Sequence, residues 1–408
     1  MKEIKDIAVI GGGAAGLCFS ILVKNVMPCV GVTVFEANDR VGRKIAVTGN
    51  GRCNISNRIL TVDKFHGERD LAEKLLQSFG FIEQQRFFEE LGVYFKLEGD
   101  KAYPASLQAT SVVDALRFSA EEKGVEIVCG CPVSSVKREN GEFVVETKRG
   151  REVYRSVVVA CGGKAGGKLG NTSGYEILKH LGHKIEPIFP SIVQLKTETD
   201  VVRQLKGIKV DATVTLSSSL GERTEFGEVL FCDYGLSGPP VLQVSRMANG
   251  ENPTVKLDLI PDFTRESLAA ALKKTIKLHP SRPTSELFTG LLHKKIGQVA
   301  TKLCGVDLNG MLANLSDSEM LKIVDKIKCF KLKVLGTTGF ENAQVTAGGA
   351  QVAQFFDNLM SKKAKGLFAI GEVLNVDGDC GGFNLAFAWS SAFAAANGVA
   401  DFLNGDNK

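Results

Sequence analysis

The chain has little of what a metalloenzyme, a secreted disulfide protein or a nucleic-acid binder relies on. Its 5 histidines do not cluster with acids or cysteines, and its 10 cysteines form no C-x-x-C pair, so no metal-ligand spacing is present. Scattered thiols of this kind read as reduced cysteines used as small hydrophobes, which points to the cytoplasm. The first apolar strand begins within a few residues of Met1, leaving no room for a signal peptide. Charge of one sign is not in excess. Lys and Arg number 50 against 46 Asp and Glu, a net charge of +4 spread along the chain, and this makes no case for nucleic acid. Lys273, Lys274, Lys277, Lys294, Lys295 and Lys302 recur at helical spacing, as on a solvated face. Long apolar runs are also missing. The one candidate, 383–403, contains Asn384, Asn397 and Asp401 and reads as a buried helix, not a membrane span.

Glycine is plentiful instead, at 44 residues, mostly in short clusters, as expected where several loops approach a large cofactor. The first cluster organises the chain. An apolar strand over 6–10 runs into Gly11, Gly13 and Gly16, spaced G-x-G-x-x-G, with Ala14 and Ala15 between. A helix follows, then a second strand over 31–35 that ends at Glu36. Strand, glycine turn, helix, strand and acid together form the dinucleotide fingerprint. Gly11 permits the tight turn, Gly13 lets a pyrophosphate approach the backbone, and Gly16 lets the helix pack close to the sheet. The helix N-terminus offers free N–H groups and partial positive charge to the diphosphate. Glu36, followed by Ala37, lies about twenty residues past the glycines, where a carboxylate accepts bonds from a ribose diol and repels a 2′-phosphate.

At roughly 150 residues per domain the length suggests two or three domains. After Glu36 comes a polar, glycine-dense loop in which Arg43, Lys44 and Arg52 are in reach of phosphate oxygens. Within it Gly49 and Gly51 bracket Asn50, and Cys53 and Asn54 follow. The spacing predicts a helix over 71–91, a helix over 111–123 with Ser111 at its N-cap, a strand over 125–136 carrying Cys129 and Cys131, and a hairpin strand over 143–147. A buried strand ends at Ala160 and enters Cys161-Gly162-Gly163. The stretch 192–259 alternates like β-structure, and 265–329 reads as three helical blocks. The end returns to the first theme: an apolar strand stops at Gly371-Glu372, Asp379 and two glycines follow, and a helix opens at Gly382. A carboxylate there suits a ribityl or ribose hydroxyl, or a capping or salt-bridging role. The helix's positive end suits a ring edge that turns negative on reduction.

NAD and FAD share the first fingerprint, but an NAD domain is normally complete in one contiguous fold. Here 43–44, 160–163, 371–372 and 381–382 all return to one site, which favours FAD. The expected fold class is α/β. A two-part Rossmann-like FAD-binding domain, 1–189 and 336–408, is interrupted by an inserted β-rich plus helical cap, 190–335, that either encloses substrate or serves a structural or dimerising role.

Several motifs carry a resemblance. They are Ile10-Gly-Gly-Gly-Ala-Ala-Gly16, Thr48-Gly-Asn-Gly-Arg-Cys-Asn54, Gly170-Asn-Thr-Ser-Gly174, Leu230-Phe-Cys-Asp-Tyr-Gly-Leu-Ser-Gly-Pro239, Val345-Thr-Ala-Gly-Gly349 and Gly381-Gly-Phe-Asn-Leu385. On these the chain resembles the BaiN/RdsA-type flavoproteins, a family that includes a 3-oxo bile acid Δ4,6-reductase and aminoacetone oxidase-like proteins. It departs from the family pattern at Cys232-Asp233 and at Asp379-Cys380. The resemblance implies FAD contacts at Ala15, Glu36, Arg43, Lys44, Asn54, Val133 (through its backbone, to the adenine), Glu372, Gly382, Phe383, Asn384 and Leu385. It also implies hydride delivery to an electron-poor C=C beside a ketone, NAD(P)H as a transient donor and an apolar small-molecule substrate. A 3-oxo-Δ4,6 steroid is the first choice. An amine oxidase and an RNA-associated or regulatory flavoprotein are the other readings, the last expected to show a basic stripe on the insert. Tyr103 and Tyr234 are candidates to polarise the ketone, although each also suits plain packing.

Overall fold

The computed structural model describes residues 4–405. β1 (Ile4–Ile10) is an unbroken apolar run at its end, where Ile7, Ala8 and Val9 are fully buried. A strand hidden on both faces belongs in a parallel, helix-covered sheet. It pairs in parallel with β2 (Val32–Phe35) on one side and with Gly150–Val159 on the other. α1 (Ala14–Val26) links the first two, with residues 15–23 all buried. Glu126–Val128 extends the sheet in parallel beyond β2. On the far side Gly150–Val159 serves two partners: residues 150–154 pair antiparallel with 143–147, and residues 157–159 pair in parallel with Leu367–Ala369. The late strand Leu367–Ala369 thus joins where the earlier parallel strands end, so five strand ends share one edge. The C-terminal helix, Phe383–Gly405, is largely buried, and the Trp389 indole N–H donates to the Ile55 carbonyl at 2.9 Å. Among the described residues no helix is long and apolar enough to cross a membrane.

Three local expectations are corrected. The single helix over 71–91 is two, Arg69–Ser78 and Phe81–Glu90, broken at Gly80, where an added Cβ would stand 2.7 Å from the Leu76 carbonyl oxygen. The strand over 125–136 is also two, because Glu126–Val128 pairs with β2 while Val133–Glu139 pairs with Glu142–Thr147 at the opposite edge of the sheet. Cys129 and Cys131 lie in the turn between, the first exposed and the second buried. The helix expected from Ser111 begins at Ala109, and the Ser111 hydroxyl donates back to the Gln108 carbonyl at 2.7 Å.

The chain divides into two compact units, one made of the segments up to Pro190 and from Gln344, the other Ser191–Ala343. The second unit is a closed six-stranded barrel in the order Leu195–Thr197, Gly235–Ser237, Gly221–Phe231, Lys209–Ser218, Thr254–Asp258 and Phe330–Thr337. Helices Arg265–Leu278, Lys294–Leu303 and Asp317–Lys328 accompany it. It has its own core, which includes Phe231, Leu257, Leu268, Met320 and Phe330.

One buried histidine ties the first unit's stability to pH. His183 stacks on Phe355, ring centroids 4.9 Å apart, and is 4% exposed. Its Nδ1 lies 3.1 Å from the Leu178 carbonyl, which only accepts, so Nδ1 carries the proton. Nε2 then accepts from the Ser361 hydroxyl at 2.8 Å, and the Ser361 oxygen in turn accepts from the N–H groups of Lys363 and Ala364. Burial lowers the His183 pKa. The unfolded chain therefore takes up this proton more readily, and folding loses stability as pH falls through about 6.5. His183→Gln should be less stable near neutrality, and its deficit in urea midpoint should narrow from about pH 7.5 to about 5.5. A deficit that stays constant would contradict this account.

Candidate functional site

The carboxyl edge of the parallel sheet collects the residues singled out in the sequence, as expected where the strand order reverses around β1. Gly11 leaves β1 with φ +111°, and its N–H donates to the Phe35 carbonyl at 2.8 Å. A Cβ at Gly11 would stand 2.5 Å from the Ala160 oxygen, and one at Gly16 would stand 2.0 Å from the Gly11 oxygen. Both glycines are thus forced by backbone contacts inside the turn. Gly13 differs: nothing lies within 4 Å of its Cβ position. It is the N-cap of α1 and supplies no side-chain cap, and no acid stands in the first turn. The first N–H groups of a long buried helix therefore face open space, together with the positive end of its dipole.

Two carboxylates flank this opening. Glu36, at the end of β2, is 8% exposed. One of its oxygens accepts from the Gly12 N–H at 2.9 Å, and the other accepts from the N–H and side-chain amide of Asn38 at 2.8 and 2.6 Å. Asn38 Oδ1 in turn accepts from Arg43 at 3.1 Å. The Glu36 carbonyl accepts from the Cys131 N–H at 2.8 Å, which brings the start of the Val133–Glu139 strand beside it, with exposed Ala37 adjacent. Glu372 follows Leu367–Ala369. It accepts from Lys44 in a 2.5 Å ion pair and from the Thr346 N–H at 2.8 Å. Arg43 and Lys44 open the short helix α2 (Arg43–Val47), so one turn of chain ties the Glu36 side of the edge to the Glu372 side. Gly162 and Gly163 sit against Glu372: a Cβ on Gly163 would lie 2.9 Å from its Oε1 and 2.5 Å from Thr346 Oγ1. Gly371 abuts Ala15, whose Cβ lies 3.0 Å from the position a Cβ would take. The structure thus gives Glu372 a salt bridge, one of the two roles open to it in the sequence.

The third element is the polar loop. Gly49, Asn50 and Gly51 take φ of 56°, 55° and 82°, and buried Cys53 takes 55°. Three successive left-handed residues, one of them not glycine, mark a backbone held by its surroundings. Asn54 supplies part of that hold. With its amide oriented to satisfy its neighbours, it donates to the Ser56 and Ala102 carbonyls at 3.0 and 3.1 Å and accepts from the Gly382 N–H at 3.1 Å. Asn57 donates to the Gly381 carbonyl at 2.9 Å. Gly382 has φ +95°, and a Cβ there would stand 2.4 Å from the Ser56 oxygen. Asn384 closes the turn by bonding both the N–H and the carbonyl of Gly378, at 2.8 and 2.7 Å. Phe383 meets Phe65 edge-on, and Leu385 packs at the margin of the same core. Asp379 is 5% exposed and lies 2.9 Å from His66 Nε2.

Some candidates already have close partners within the chain. Arg52 lies over the Tyr103 ring and pairs with Glu98, so its charge is already matched. Burial pushes the thiols of Cys53 and Cys161 up to about 12, which keeps both protonated at neutral pH and rules them out as ready nucleophiles. Asn38, Thr346, Gln84 and His66 were not singled out from the sequence. Asn38 has a local signal, a short amide two residues past the acid. Thr346 lies inside the Val-Thr-Ala-Gly-Gly motif, while Gln84 and His66 carry no sequence signal. Among the described residues no group of three or more His, Cys, Asp or Glu is placed to hold a metal.

The residues present fit a dinucleotide. An open glycine at an uncapped helix start takes a diphosphate, and a buried carboxylate beside it takes a ribose diol. A family model described as "HI0933-like protein Rossmann domain" matches residues 5–398. A 3-dehydro-bile acid delta(4,6)-reductase of Clostridium scindens is 33% identical over 406 residues, spanning 97% of this chain and 99% of that protein. A ribosomal RNA dihydrouridine synthase of Haemophilus influenzae is 31% identical, spanning 97% of this chain and 98% of that protein. Among solved structures, a 3-ketosteroid-delta4-(5alpha)-dehydrogenase from Rhodococcus jostii RHA1, in complex with 4-androstene-3,17-dione, matches with a TM-score of 0.53 at 15% identity over 98% of each chain. This last likeness is one of fold.

Proposed function

The chain belongs to the HI0933-like Rossmann family, and on that premise we propose that it is an FAD-dependent oxidoreductase that saturates a C=C bond conjugated to a carbonyl. The observation that carries the cofactor is the open Gly13 at the uncapped start of α1, flanked by Glu36 and Glu372. The α1 N–H groups hold the diphosphate, Glu36 and Asn38 the adenosine ribose, the Val133 backbone the adenine, and Lys44, Glu372, Asn54 and the 382–385 turn the flavin half. FAD supplies hydride transfer when bound. The protein would position it, and the positive end of the C-terminal helix, which opens at Phe383, would favour negative charge gathering on the ring when it is reduced. NAD(P)H is the donor and docks transiently.

The first choice of acceptor is a 3-oxo-4,6-diene steroid, supported by the relative that is a 3-dehydro-bile acid delta(4,6)-reductase. A second reading is a uracil base in RNA, whose C5=C6 bond is likewise conjugated to a carbonyl. It is supported by the relative that is a ribosomal RNA dihydrouridine synthase and by one feature of the barrel. Lys256 stands directly opposite Lys331, with exposed Lys333 and Lys196 on the same or the adjoining strand. Like charges directly opposite cost stability unless an anion lies between them. Two of the helical lysines, Lys273 and Lys294, are instead matched by Asp317 and Glu286. The deciding experiment mixes NADH-reduced protein anaerobically with the dienone and, separately, with unmodified ribosomal RNA. Flavin reoxidation by either assigns the acceptor. Reoxidation by neither, with peroxide formed from an aminoketone and oxygen, would point to the amine oxidase reading instead.

A further inference from the structure

We propose that Tyr103 is the hydrogen-bond donor to the substrate's carbonyl oxygen, an assignment that rests on the reading of the chain as a conjugated C=C reductase. Tyr103 lies on the strand Lys101–Pro104, in a hairpin with Phe95–Glu98. It is 9% exposed. The Arg52 guanidinium sits 4.4 Å from its ring centroid, and Glu98 holds the guanidinium in place. A Cβ on Gly49 would lie 3.7 Å from its Cε1. The carbonyl of its neighbour Ala102 accepts from the Ile55 N–H at 2.8 Å and from the Asn54 amide, which also accepts from the Gly382 N–H. The ring is therefore fixed to the 48–54 loop and, through Asn54, to the start of the C-terminal helix. These two segments are the ones assigned above to the flavin half.

The hydroxyl is the exception to this packing. It has no hydrogen-bond partner among the described residues and, unlike that of Tyr175, it is not sealed from solvent. A phenol clamped by its ring and unpaired at its oxygen is a donor set for an acceptor from outside. Burial raises its pKa against the pull of Arg52, so the proton stays on the oxygen at neutral pH. Tyr234, in the second unit, already has Cys232 and Ser237 at its hydroxyl.

Hydride supplied by bound FAD would form the C–H bond at the β-carbon of the acceptor. The C=C π pair shifts to the α-carbon–carbonyl carbon bond, and the carbonyl oxygen gains negative charge. The Tyr103 O–H bond to that oxygen strengthens as the charge develops. The α-carbon then takes a proton from water, the carbonyl re-forms, and Tyr103 keeps its own proton throughout.

The test is Tyr103→Phe, which leaves no other group unpaired. The probe is a 3-oxo-4,6-diene steroid, replaced by a uridine oligonucleotide if wild type reduces only that. Bound to oxidised wild-type holoprotein, the acceptor's near-ultraviolet band should shift to the red, as a hydrogen-bonded carbonyl requires, and the shift should vanish in Tyr103→Phe. The reduced variant should pass hydride to the acceptor about 100-fold more slowly or worse, with flavin content, melting temperature and reduction by NADH unchanged. A variant that keeps both shift and rate overturns the assignment while leaving the reductase reading intact. So does one that loses flavin or melts early, because the hydroxyl would then be structural. Wild-type protein that reduces neither acceptor overturns the reductase reading itself.

Discussion

Gly13→Val should fold and purify without its flavin, while Gly16→Ala, the smaller change, should fold poorly. The two glycines are three residues apart in one motif, yet their surroundings differ. Nothing lies within 4 Å of a Cβ at Gly13, and its φ of −88° and ψ of −162° are open to any L-residue. A valine there costs the apoprotein about 1 kcal/mol or less as a poor N-cap. Its methyl groups fill the space a diphosphate needs, and FAD affinity should fall by at least about 100-fold, or roughly 3 kcal/mol. At Gly16 the obstacle is the chain itself. A Cβ would stand 2.0 Å from the Gly11 oxygen and 3.3 Å from the Ala160 Cβ. The turn, α1 and the strand Gly150–Val159 must move apart, at a cost of about 3 kcal/mol or more. Flavin content per chain and the melting temperature of the apoproteins separate the cases. A Gly13→Val protein with full flavin would remove the main support for the cofactor site.

Gln84→Leu should lower stability by about 2–3 kcal/mol despite its similar volume. Gln84 is fully buried on the helix Phe81–Glu90. Its amide donates toward the Phe79 and Ala386 carbonyls and the Ser390 hydroxyl at 3.0, 3.2 and 3.1 Å, and its oxygen accepts from the Ser56 hydroxyl at 2.6 Å. The single Ser390 hydroxyl proton lies within reach of both carbonyls, at 2.7 and 2.9 Å, so it keeps one of them paired after the change. Ser56, fully buried, loses its acceptor. Its carbonyl faces Gly382 across a gap that excludes even a methyl group, so loosening at Ser56 reaches the 382–385 turn. Urea unfolding should show the loss, and flavin should leave the variant at lower urea than it leaves wild type. Equal midpoints would show that the network contributes little.

The glycine turn could be read from the sequence because each glycine answers to a contact within a few residues or to a cofactor. Gly11, Gly13 and Gly16 also sit in their expected order of strand, turn and helix. The β-alternation over 192–259 and the three helices after it were equally legible, because periodicity reports which face is buried. The break at Gly80 was not. Apolar spacing carries on across it, and only the folded chain shows that a side chain at Gly80 would meet the Leu76 carbonyl oxygen. Nor was the split at 129–132, since only the pairing of its halves with opposite edges of the sheet demands a turn. The pairing of Arg52 with Glu98 and Tyr103 had no local signal either, because both lie on a hairpin some fifty residues on. Barrel closure depends on Leu195 meeting Thr337, a pairing far too distant in sequence for local pattern to reveal.

The most direct test of the central claim is an anaerobic absorbance trace of the purified protein mixed with NADH and then with a conjugated acceptor. A yellow protein whose flavin band bleaches with NADH and returns on adding the dienone or the RNA is the predicted result. A colourless protein that takes up no added FAD would contradict it.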